Sequence, residues 1–304
     1  MRGHLIHIGY PKTGSTFLQA WFNQHPKLCF SNGGLGSFNN VFEMARHAAR
    51  ENESTFEYFV TSFEGLSTPI NWISELPIEF GLRSFFEIHL FKVSQARVCE
   101  YLKCLYPNGK ILIVTRGFKG FFLSLYSEYA RCGGILDFPK MCKGVLEMDL
   151  LDFDYLIRLY EDNFGKENLI VIPYELLRDD QNKFFAVIEE RLNLPHFEAG
   201  IGRLNESLSS EELYWYPKIS AGVSRFAQRF GQSGYAKIYQ WYISKTIKNK
   251  FQKIIKLLSR WKPDRKVSAS DFPDELLNCC KGKATILRDN PLYAPYLSEY
   301  LLDE

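Results

Sequence analysis

The stretch that most limits what this chain can become is its first twenty-odd residues. Leu5-Ile6-His7-Ile8 is an apolar run that reads as a short buried strand. Gly9-Tyr10-Pro11-Lys12-Thr13-Gly14 reads as a turn, and an amphipathic helix follows with Phe17, Leu18, Trp21 and Phe22 on its inner side. A strand, a glycine loop and a helix N-terminus make a phosphate-binding layout, because the unpaired amides of the first helical turn and the helix dipole both favour an anion. Gly14 lets the backbone come close, Ser15 and Thr16 add hydroxyl donors, and Lys12 adds a full positive charge.

A second strand end carries a complementary signal. Lys110-Ile111-Leu112-Ile113-Val114-Thr115 is the clearest buried strand in the chain, and it runs directly into Arg116-Gly117 and a helix over about 118–131. A nucleotide triphosphatase favours an aspartate at that point to help hold Mg²⁺. An arginine suits direct bidentate recognition of phosphate instead. The first loop also departs from the Walker pattern, in which lysine directly follows the second glycine; here Ser15 follows Gly14 and the lysine lies inside the loop.

Further strands are expected at 55–62 and 168–173, with helices between them. Residues 31–40 read as loop and 42–50 as a short helical pattern; 83–90 reads as a strand or a helix start, and 93–106 as helix. Strands separated by helical segments imply crossover connections and a mainly parallel sheet, hence an α/β, P-loop-like fold. Ligands in such sheets sit beyond the carboxyl ends of the strands, where the glycine loop, Glu64, Arg116 and Tyr174 all fall. The 304 residues are read as one domain, with a core over about 4–210 and a helical C-terminal part over about 211–304.

With lysine at its place in the loop, Tyr10-Pro11-Lys12-Thr13-Gly14-Ser15-Thr16 resembles the 5′-phosphosulfate loop of the sulfotransferases, which use 3′-phosphoadenosine 5′-phosphosulfate (PAPS). The eight-position spacing of Arg116 and Ser124 resembles that family's grip on the 3′-phosphate. The resemblance covers roughly 4–30 and 110–210. It implies that Lys12, Thr13, Gly14, Ser15 and Thr16 hold the phosphosulfate, that Phe17 stacks on adenine, and that Tyr174 lies near it. Asn205-x-Ser207 is similar to a short family signature, whereas the C-terminal Arg-Lys-Gly loop of cytosolic members is not evident. The implied reaction is sulfuryl transfer to a hydroxyl or amine of a glycan, glycolipid or small metabolite. Lys12 would balance the leaving oxygen, and Glu64 would be the base, in a segment similar to Ser-Ser-Glu-Gly-Leu-Ser of bacterial members. Glu87 and His89 are the alternative base candidates, sharing a face if 83–90 is a strand. Competing readings are a P-loop phosphotransferase and a non-catalytic nucleotide-binding protein on the same fold.

Seven cysteines, an odd number with Cys279 and Cys280 adjacent, point to reduced thiols. The six histidines have no metal-ligand spacing beyond a weak His4-x2-His7, so no metal is expected. No apolar run is long enough to span a membrane, and a strand from about residue 4 argues against a signal peptide; a cytoplasmic protein is expected. The net charge of +2 hides an asymmetry. Residues 213–263 contain eleven of the 37 basic residues and no acid, leaving 26 basic against 35 acidic residues elsewhere. The basic helix within it, 237–262, has Ile247, Phe251, Ile254, Ile255, Leu258 and Trp261 on one stripe, with lysines opposite. It is read first as a solvated face, next as a contact with the inner membrane surface or a lipid-linked acceptor, then with a polyanionic acceptor. Nucleic acid is not expected as a partner, since no recognition module accompanies the charge.

Overall fold

The apolar runs become strands in the computed structural model, which describes residues 3–30, 56–68, 85–147, 149–201, 207–248, 250–262 and 264–303, with backbone alone at 85–90 and 147. Five described strands, β1 (Gly3–His7), β2 (Leu28–Phe30), β3 (Tyr58–Ser62), β4 (Lys110–Thr115) and β5 (Leu169–Pro173), form one all-parallel sheet in the order β2-β3-β1-β4-β5. Parallel neighbours need crossovers, and helices supply them: α1 (Ser15–Gln24) after β1, α2 (Phe85–Leu105) before β4, and α3 (Phe118–Arg131), α4 (Phe138–Glu147) and α5 (Phe153–Phe164) between β4 and β5. The fold is thus P-loop-like α/β, as the alternation of strand and helix predicts.

The chain leaves β1 toward β3 on one side and returns to β4 on the other, so the loop after β1 lies at the switch point of the sheet. His7 pairs with Ser62, and Thr115 with Pro173, which puts the ends of these strands along one edge. β1 meets β4 at His7 and Leu112, so β4 runs three residues farther and carries Arg116 out over the β1 loop.

Side-chain chemistry sets the helix ends. Asp152 accepts from Tyr155 N to open α5, and Asp180 accepts from Lys183 N to open α7 (Gln181–Leu192), which follows α6 (Tyr174–Asp179). A capping box between Ser209 and Glu212 starts α8 (Ser210–Ala227). α9 (Gly231–Ile247), α10 (Gln252–Trp261) and α11 (Asp274–Asn278) complete the helical C-terminal part.

Some readings are now decided. The stretch read as a strand or a helix start is helix from Phe85 on (α2), so the strand on which Glu87 and His89 would share a face does not form. Their side chains lie outside the described residues, as do the loop and helix expected at 31–50. The stripe expected over Ile238–Trp261 is broken between α9 and α10; Ile255 is buried, but Ile247, Ile254 and Trp261 are exposed. The spaced histidines serve packing, His4 against Phe59 and Tyr106, and His7 in a hydrogen bond with Ser62 Oγ at 2.8 Å. The seven cysteines are free.

The last turn, Pro291–Tyr300, is a 3-10 segment that docks into the core. Tyr293 and Tyr300, both buried, hydrogen-bond Thr115 Oγ1 at 2.7 and 2.9 Å. Tyr300 also donates to Glu175 Oε2 at 2.8 Å, while Gly117 N donates to Glu175 Oε1 at 3.0 Å. A side chain at Gly117 would meet Glu299 Cβ at 2.6 Å, so this close approach requires glycine. Glu175→Ala leaves the Gly117 amide without its acceptor and removes one of the two partners of the buried Tyr300 hydroxyl, and is expected to cost about 2–4 kcal/mol. Tyr300→Phe, which leaves Thr115 its bond to Tyr293, should cost about 1 kcal/mol. Urea denaturation checks both, through a lowered midpoint at unchanged slope.

Candidate active site

The loop between β1 and α1 has an unusual backbone. Gly14 has φ 85°, and Lys12, which carries a side chain, has φ 66°. A left-handed non-glycine residue persists only where its surroundings hold it. Here Arg116 Nη1 donates to Lys12 O at 2.6 Å, and Thr13 Oγ1 donates to Tyr10 O at 2.5 Å. Thr13 is buried and is not among the residues that line the cleft; its hydroxyl braces the loop. From below, Ser67 Oγ donates to Gly9 O at 3.1 Å, and Gln95 Nε2 donates to Ser67 O at 2.7 Å.

Above the loop lies one cleft, and most of the residues expected from sequence line it: Lys12, Gly14, Ser15, Thr16, Phe17, Glu64, Arg116, Ser124 and Tyr174. α1 opens at Ser15 with no side chain capping it and no acid in its first turn, which leaves its amides to an incoming anion. The Arg116 guanidinium lies 4.2 Å from the centre of the Tyr174 ring, a cation–π contact that offsets part of the cost of burying the charge. Burial lowers the pKa of Arg116, opposed by Tyr174, Glu175 and Tyr300. Phe17 is half-buried and stacks on Phe185 at 5.8 Å with an interplanar angle of 15°, so one aromatic platform already extends beside the helix start.

Glu64 starts a 3-10 turn, Glu64–Leu66, just past β3. Ser15 Oγ donates to Glu64 Oε1, which places a carboxylate at the first residue of α1. Burial pushes the Glu64 carboxyl above its ordinary value; Lys12 pulls it down and Glu128 pushes it up again. A raised carboxyl is a stronger base once ionised, and such perturbed groups in clefts mark functional sites.

The remaining lining residues were not assigned from sequence. Glu128 Oε2 takes an ion pair from Lys12 Nζ at 3.1 Å, and Ser127, Arg131 and Ser207 complete the wall. The signal existed: Ser124, Ser127, Glu128 and Arg131 stand at i, i+3, i+4 and i+7 on α3 and so share a face. Arg131 lines the cleft, whereas Tyr126 and Tyr129 on the same helix are buried packing. Asn205 lies outside the described residues.

No family model matches the chain, and no curated protein matches it. Among solved structures it is similar to a sulfotransferase from Alicyclobacillus acidocaldarius at 16% identity and a TM-score of 0.45, over 78% of this chain and 99% of that one. It is similar to the sulfotransferase domain from the curacin biosynthetic pathway at 13% and 0.40, over 71% and 78%. A mouse sulfotransferase complexed with PAP is similar at 13% and 0.35, over 72% and 64%. At TM-scores below 0.5, none of these bears on what the cleft does; its own residues do.

Three cations, Lys12, Arg116 and Arg131, and several hydroxyls stand around uncapped amides, a donor set suited to an anion. Pyrophosphate is expected to raise the melting temperature by several degrees once it exceeds its dissociation constant a hundredfold, which corresponds to about 2.7 kcal/mol. Arg116→Ala should abolish the shift in a scanning-fluorimetry titration.

Proposed function

We propose that this chain is a PAPS-dependent sulfotransferase. One observation carries the reading: the lysine of the β1 loop and the arginine at the end of β4, with Ser124 on the helix that follows, line a single cleft. A nucleotide with two separated anionic groups needs two such places. In this reading Lys12, Ser15 and Thr16 serve one, and Arg116 with Ser124 serves the other; all five line the cleft. The donor set therefore fits a 5′-phosphosulfate at the loop and a 3′-phosphate at the β4 end, with Phe17 and Tyr174 offering aromatic surface for the base. Arg116 follows Thr115 where an Mg²⁺-dependent phosphotransferase would favour an acid, so that competing reading lacks support.

When bound, PAPS supplies a sulfuryl group activated by its bond to phosphate. The chain's residues account for the rest of an in-line displacement. An acceptor hydroxyl or amine attacks sulfur as the sulfur–oxygen bond to the 5′-phosphate breaks. Lys12 would stand against the leaving oxygen as it gains negative charge, and a preorganised cation there lowers the barrier. Glu64, hydrogen-bonded to Ser15 at the head of α1, takes the acceptor's proton. Lys12 is paired with Glu128 before any ligand arrives, and an incoming polyanion competes for it. The acceptor is a hydroxylated or amino compound such as a glycan, a glycolipid or a small metabolite.

Two experiments test this. Calorimetry is expected to show the 3′,5′-bisphosphate product binding at least tenfold more tightly than AMP, because each charge-assisted phosphate contact contributes roughly 1.5–3 kcal/mol. Equal affinity of the two nucleotides, or a requirement for ATP and Mg²⁺, would overturn the reading. The second measures pH dependence. Glu64 acts only when ionised, and its pKa is raised, so kcat/KM should rise with pH through an inflection above the ordinary glutamate value of about 4.3. Glu64→Gln should remove that limb and lower kcat about a hundredfold or more while nucleotide binding survives.

A further inference from the structure

The surface formed by α9 and α10 has no part in the cleft chemistry. Residues 213–263 carry eleven Lys and Arg and no Asp or Glu. On α10 only Ile255 is buried, at 1% exposure, against the body of the protein. Ile254, Leu257 and Trp261 are 51%, 63% and 85% exposed, and at i, i+3 and i+7 they form one solvent-facing apolar stripe. Lys253, Lys256 and Arg260 have the same spacing one position earlier and form a parallel exposed basic stripe beside it. α9 extends both features: Trp241 and Ile247 are more than half exposed, and Lys245 lies over the Trp241 ring at 5.7 Å. Glu211 and Glu212 line one pocket with Ile255, Lys256 and Arg260, and both are engaged, Glu211 with Lys266 and Glu212 in the capping box of α8.

A merely solvated face has no use for an exposed leucine and tryptophan at its centre, and a soluble polyanion is held by charge without an apolar stripe. A second copy docking face to face would bring like charges together, because this whole region is basic. Apolar and aromatic side chains bordered by lysine and arginine match a bilayer with anionic headgroups. No helix among the described residues is long and apolar enough to cross a membrane, which leaves surface contact. From these features we propose that α10 and the end of α9 dock on an anionic lipid bilayer, with Ile254, Leu257 and Trp261 entering below the headgroups. The face also connects to the cleft: Thr246 Oγ1 on α9 donates to the carbonyl of the cleft residue Arg131 at 2.7 Å. The proposal stands whether or not the cleft transfers sulfuryl groups, since it rests on this surface alone.

The test is flotation of the full chain with vesicles of phosphatidylcholine, with and without phosphatidylserine. Binding is expected only to the phosphatidylserine vesicles, weakening as salt rises. Lys253→Gln/Lys256→Gln/Arg260→Gln should weaken it about a hundredfold, near fivefold per charge. Leu257→Ser/Trp261→Ser should weaken it at least tenfold. Quenching of tryptophan emission by brominated acyl chains, read on the unaltered chain and lost in Trp241→Phe/Trp261→Phe, gives the same answer without altering the stripe's size. Absence of phosphatidylserine-dependent flotation overturns the proposal. So does sensitivity to the charge variant alone, which marks a polyanion site, or self-association by analytical ultracentrifugation that Leu257→Ser/Trp261→Ser abolishes, which marks a second copy as the occupant.

Discussion

Arg116 ties three strand ends together. It stands at the end of β4, donates to the carbonyl of Lys12 in the loop after β1, and lies on the ring of Tyr174 just past β5. Lys12 keeps a left-handed backbone that most side chains avoid, and the Arg116 bond is one of the contacts that hold it there. The next residue, Gly117, donates to Glu175, which also accepts from Tyr300, itself hydrogen-bonded to Thr115. The cleft floor and the C-terminal segment are therefore one buried polar network. Such networks are costly when a member is missing and specify a single arrangement when complete. A guanidinium has five donors, so a bond to Lys12 O leaves others for an anion.

The cleft holds its charges in reserve. Lys12 is paired with Glu128, and Glu64 accepts from Ser15. Both carboxylates occupy a place suited to an anion, so any ligand must displace at least one of these contacts. The exposed part of the Lys12–Glu128 pair is worth little by itself, with each side chain near 30% exposed. A weak pair is easily exchanged when another anion arrives. Burial also raises the Glu64 carboxyl above its ordinary value beside the same loop.

Charge is also divided over the molecule as a whole. Residues 213–263 hold the basic excess and the rest of the chain holds the acidic one. That division leaves the interior unaffected, since salt and water screen it, but it decides which large surfaces each side approaches.

Much of the fold and the site was legible from local pattern. Apolar runs marked β1, β4 and β5, glycine and hydroxyl residues marked the loop after β1, and an arginine directly after an apolar run marked the end of β4 on the same sheet edge. These are signals of period and order, which a sequence states directly. What only the tertiary structure decided are relations across space. β2 is three residues long, too short to show a period, and exists because β3 lies beside it. Glu128 matters because Lys12, 116 positions away, comes within 3.1 Å of it. Thr13 turned inward because the loop needed its hydroxyl. On α10 the helical period was read correctly, but Ile255, and not Ile254 or Trp261, met the protein. An amphipathic pattern states which residues share a face and is silent on whether a neighbour covers it.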